Sequence, residues 1–79
     1  MDIVGERIMV TRKRQRIAQK DLAVTIGMSQ KHLSQIETGI KHGLHLRAEA
    51  VIRLAQALGV STDYLLGLQQ EQPHAGDAL

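Results

Sequence analysis

The chain has 79 residues, enough for one small domain that buries only about 60% of the surface its unfolded form exposes. It contains no cysteine, which excludes disulfide staples and thiolate zinc sites, and no apolar run nears the roughly 18 residues of a membrane span. Net charge is +2, yet residues 1–47 carry nine Lys/Arg against four Asp/Glu, while residues 48–79 carry one against four. The basic half points to a polyanionic partner, with a merely solvated basic face as the alternative. The first helical pattern runs from Ile3 to Arg16. Val4, Ile8, Thr11 and Gln15 share a stripe, Arg12 and Arg16 flank it, and Lys13 points away. A two-turn helix from Gln19 to Ile26 turns Leu22, Ala23 and Ile26 to one face, and Gly27 stops it. Ser29 is placed to cap a third helix, Gln30 to Glu37, with Leu33 and Ile36 inward and a stop near Gly39.

A loop over residues 40–46 carries Lys41, His42 and His45. The fourth helix, Arg47 to Leu58, presents Val51, Leu54, Ala55 and Leu58 on one side and ends at Gly59. Ser61 caps a short fifth helix with Asp63 in its first turn, and Gly67 closes it. Residues 68–79 read as a polar, disordered tail. Tyr64 is the only aromatic residue, so core volume must come from aliphatic side chains, which favours helix on helix. Stacking platforms for single-stranded nucleic acid are also missing. The expected fold is all-α: a compact five-helix bundle forming one domain over residues 3–67.

The informative spacing surrounds Gly27. Ala23 lies four residues before it, and Leu33 and Ile36 lie six and nine after. A small residue, a left-handed glycine and two apolar anchors at that spacing suit a helix-turn-helix over about residues 19–38. An ordinary αα-corner could show the same pattern. On a helical wheel Gln30, Lys31, Ser34, Gln35 and Thr38 fill a polar arc of about 140° opposite Leu33 and Ile36. Glutamine can bond adenine N6 and N7 together, and lysine can donate to guanine O6 and N7.

The stretches QKDLAVTIGMSQKHLSQIETG and LAQALGVSTDYLLG widen the match. They resemble the phage-repressor family (lambda repressor and Cro-like) over about residues 4–67, including its five-helix DNA-binding domain. The resemblance implies a sequence-specific double-stranded DNA-binding regulator, most simply a repressor, rather than an enzyme. An antitoxin with a toxin as protein partner would keep the same fold. It further implies that Gln30, Lys31 and Gln35 contact bases and that Gln19, Arg12 and Lys41 contact phosphates; the polar arc adds Ser34 to the expected base contacts and Thr38 to the phosphate contacts. Arg12 and Glu37 match a pair that orients the arginine. Three positions depart from the family: Ala18 where it has Ser or Thr, Thr11 for a core leucine, and Arg16 for a glycine. The loop over residues 40–46 is also lengthened.

His42-x-x-His45, with His32 and His74, lacks the cysteine or acidic residue that would complete a zinc site, so no metal or other cofactor is expected. No nucleophile–base pair is spaced for catalysis. The start of the chain lacks an export pattern, and a cytoplasmic protein with no membrane partner is expected. One recognition helix reads few base pairs, so a homodimer on a palindromic operator is expected. Leu65 and Leu66 cannot both enter one core, so the dimer contact is expected at Tyr64, Leu65 and Leu68, with completion of the monomer's own core as the alternative.

Overall fold

A computed structural model describes residues 3–39 and 47–68. The described residues form five helices and no strand: α1 (Ile3–Arg14), α2 (Gln19–Ile26), α3 (Gln30–Glu37), α4 (Ala48–Leu58) and α5 (Thr62–Leu65). Lys41, His42, His45, His74 and all but the first residue of the polar tail lie outside the described residues. No helix among the described residues is long and apolar enough to cross a membrane.

The caps explain where the helices start and stop. Ser29 Oγ accepts from the His32 N–H at 3.1 Å, and Ser61 Oγ accepts from the Tyr64 N–H at 3.0 Å. Each bond satisfies an amide that a helix start leaves without an internal partner. Ala18 precedes α2 with no such bond. Arg47 is the residue before α4 rather than its first member. α1 stops at Arg14, two residues earlier than its periodicity predicts. There Arg16 takes a left-handed conformation (φ 59°), and the N–H groups of Arg16 and Ile17 return to the carbonyls of Lys13 and Arg12. This is the wrap that usually has glycine at its left-handed position.

Ile8, Leu22, Leu33, Ile36, Leu54, Leu58 and Leu65 are fully buried, and Val4, Ala23, Ile26 and Ala55 complete their surroundings. α1 packs on α3 and α5, α2 on α3 and α4, and α4 on α5. Thr11, predicted on the core stripe, is buried. Gln15, predicted on the core stripe, is exposed, and its Nε2 donates to the Leu58 carbonyl at the end of α4 (2.6 Å). The α1–α3 crossing is close because Gly5 is there. A β-carbon at Gly5 would collide with the Ile36 carbonyl oxygen and lie 3.0 Å from its carbon.

The expected dimer contact needs correction at α5. Leu65 has no exposed surface and belongs to the core, so it cannot meet a second copy. Tyr64 is also buried: the Arg7 guanidinium lies 4.5 Å from its ring centre, and Arg7 Nη1 donates to the Tyr64 carbonyl at 2.6 Å. This clamp of α5 onto α1 turns Leu66 outward (45% exposed) together with Leu68 (74%).

Candidate nucleic-acid interface

The close α1–α3 crossing sets the end of α3 against α1, and Glu37 reaches Arg12 there. Arg12 Nε donates to Glu37 Oε2 at 2.8 Å, and Nη2 donates to Oε1 at 2.9 Å. Only 10% of the arginine side chain and 2% of the glutamate side chain meet solvent. A fork-to-fork pair of this kind is the strongest hydrogen-bonded ion pair available to side chains. The hydrogen bonds to Glu37 hold the Arg12 guanidinium above its ordinary range, against the cost of burial and with help from the carboxylate's charge. Its remaining terminal nitrogen, Nη1, donates to the Ile17 carbonyl at 2.9 Å and pins the α1–α2 turn. Arg12 is thereby matched inside the protein rather than extended toward solvent.

From this pair a polar chain runs outward. Gln19 Nε2, at the start of α2, donates to Glu37 Oε1 at 3.2 Å. Gln30 Nε2, at the start of α3, donates to Gln19 Oε1 at 3.3 Å. The ion pair is buried and the Gln30 end is exposed, so a fixed anchor holds a presented group. Each side-chain amide has two N–H donors. Gln19 keeps one N–H for an external acceptor. Gln30 keeps one N–H and its carbonyl oxygen, the donor and acceptor that an adenine major-groove edge demands.

Lys31 is exposed beside Gln30, and Ser34 and Gln35 are half-buried one turn further along α3. These four share the outward side of α3, opposite buried Leu33 and Ile36. Thr38 is not brought into the network: its hydroxyl donates to the Ser34 carbonyl at 2.9 Å, which commits its one donor to the backbone. Sequence reasoning placed Gln19 and Gln30 separately and missed their bond. The signal was the glutamine at the first position of both helices. No buried side-chain nitrogen or oxygen among the described residues lacks a partner. Nor do any three His, Asp or Glu among them gather as metal ligands.

Two short helices about a left-handed Gly27, with an exposed polar helix braced from behind, define a class of fold. The chain belongs to the helix-turn-helix family of the lambda repressor and Cro type, whose family model matches residues 8–65. It is similar to the P22 c2 repressor protein, solved in complex with synthetic operator 9T: 35% identity, a TM-score of 0.73, and coverage of 84% of this chain and 96% of that one. The solution structure of the P22 c2 repressor DNA-binding domain matches at 35% identity and a TM-score of 0.74, covering 89% and 91%. The N-terminal DNA-binding domain of SinR from Bacillus subtilis matches at 26% identity and a TM-score of 0.73, covering 81% and 90%. No curated protein matches the chain in sequence.

Proposed function

We propose that this chain is a sequence-specific double-stranded DNA-binding transcriptional regulator, acting as a repressor, that enters the major groove with α3. The observation that carries this reading is the coupled chain from Arg12 and Glu37 through Gln19 to Gln30. Gln19 presents its free N–H to a phosphate, while its carbonyl oxygen holds Gln30 in the pose that pairs with a base. Backbone grip and base reading are then mechanically linked. Lys31, Ser34 and Gln35 complete the reading surface. The similarity to a repressor solved on its operator supports the same geometry here.

Gln30→Ala, Lys31→Ala and Gln35→Ala should each cost about 1–3 kcal/mol on the preferred duplex and almost nothing on a scrambled one. Gln19→Ala should weaken both, since it removes a phosphate contact and the brace on Gln30. Equilibrium titrations on the two duplexes check this. Three α3 variants that discriminate as well as the parent would remove α3 from the groove.

Specificity in a genome calls for two half-sites, and we place the contact between copies at Leu66 and Leu68, the apolar side chains that the α5 clamp leaves outside. Leu66→Asp should abolish cooperative binding to a palindrome and leave binding to a single half-site intact. Sedimentation with palindromic DNA reads the stoichiometry directly. Two protomers per palindrome with undiminished cooperativity in the variant would move the interface elsewhere.

A further inference from the structure

The basic run through residues 12–20 holds more charge than the reading helix uses. Arg12 is matched by Glu37. Lys13 and Arg14 occupy the last turn of α1, where cations offset the negative end of the helix dipole, so a local account suffices for them. Arg16 is different. Helices α1, α2, α4 and α5 all end in the same wrap, in which two N–H groups return to the preceding turn around a residue of positive φ. At α2, α4 and α5 that residue is Gly27, Gly59 and Gly67; at α1 it is Arg16, the only non-glycine of positive φ among the described residues. A β-carbon crowds the backbone in this conformation, and glycine is the lower-energy choice. The Arg16 side chain is exposed and makes no hydrogen bond or ion pair with another described residue. No hydrogen bond or ion pair within the described protein therefore offsets the strain.

Its position suggests what does. Arg16 precedes Gln19 by three residues, at most about 10 Å of chain. The Arg12 bond to Ile17 fixes the intervening turn to the anchor of the reading face. Lys20, exposed on the first turn of α2, adds to the same positive surface. We propose that Arg16 holds a DNA backbone phosphate beside the one at Gln19, which extends the backbone grip onto the α1–α2 turn. The guanidinium fork fits two phosphate oxygens and carries no sequence preference. This inference rests on the DNA-binding function proposed above. Arginine strains the turn and strengthens the grip, so stability and affinity respond to its replacement with opposite signs.

The test uses the full chain and a short random-sequence duplex, titrated between 50 and 200 mM salt, with Arg16→Gly, Arg16→Asn and Arg16→Lys beside the parent. The glycine variant should melt higher by about 4 °C. The slope of log affinity against log salt should fall by about one, so that its affinity deficit shrinks about 3.5-fold across that salt range. Asparagine, which is neutral and tolerant of the left-handed region, should share the reduced slope. Lysine should restore the parent's. A parental slope in the glycine and asparagine variants overturns the Arg16 contact and leaves the DNA-binding function standing. A parent with no salt-dependent affinity for duplex DNA overturns both.

Discussion

Gly5→Ala should destabilise the fold by about 2–4 kcal/mol, although alanine is the better helix former by about 1 kcal/mol. The added methyl would sit on the Ile36 carbonyl, a backbone group that cannot rotate away, and 3.4 Å from the Glu37 α-carbon. α1 and α3 would have to separate. Ile8, Leu33 and Ile36, none more than 1% exposed, would then lose part of their contact. A domain of this length holds about 4–12 kcal/mol in all, so most of the reserve is at stake. Thermal unfolding should show a midpoint lower by about 10–25 °C. A midpoint equal to or above the parent's would mean that the helices do not cross as closely as described.

Arg12→Ala should cost about 3–5 kcal/mol, because it leaves the Glu37 carboxylate buried without its counter-charge. That outcome differs from the one expected of a solvent-facing phosphate ligand, whose loss would weaken DNA binding with little effect on folding. Arg12→Met combined with Glu37→Leu removes both charges together and should regain most of the stability, since a buried pair is often replaceable by apolar side chains. The double variant still lacks the acceptor for Gln19, so Gln30 loses its brace. Urea unfolding should therefore place the double variant near the parent, while its preference between preferred and scrambled duplex falls about tenfold, a difference of about 1.4 kcal/mol. A double variant that folds well and discriminates fully would show that the ion pair has no part in reading bases.

The helix-turn-helix was legible in the sequence because its signals are local. Gly27 marks a stop, Ser29 a start, and Ala23, Leu33 and Ile36 stand at the offsets from Gly27 that the motif needs. The end of α1 was not legible from periodicity, because Gln15 and Arg16 continue the helical pattern; the one signal was the glycine that the family has where this chain carries Arg16. At α5 two adjacent leucines are equally apolar. Which one enters the core depends on the approach angle fixed by the Ser61 cap and the Arg7–Tyr64 clamp, whose partners lie 57 residues apart. The polar network was half legible. Arg12, Glu37, Gln19 and Gln30 were all singled out, but their continuity depends on the angle between α2 and α3 and on Gly5 admitting α3 to α1. Tertiary geometry supplies that link, and residue spacing does not encode it.

Selection of binding sites from a library of fully randomised duplexes tests sequence-specific reading by α3 most directly. Reading by α3 should enrich one palindromic pattern, two short half-sites about one helical turn apart, with Gln30→Ala losing enrichment at a discrete position inside each half-site. Recovery of a library no different in sequence from its input, by a folded parent protein, would contradict it.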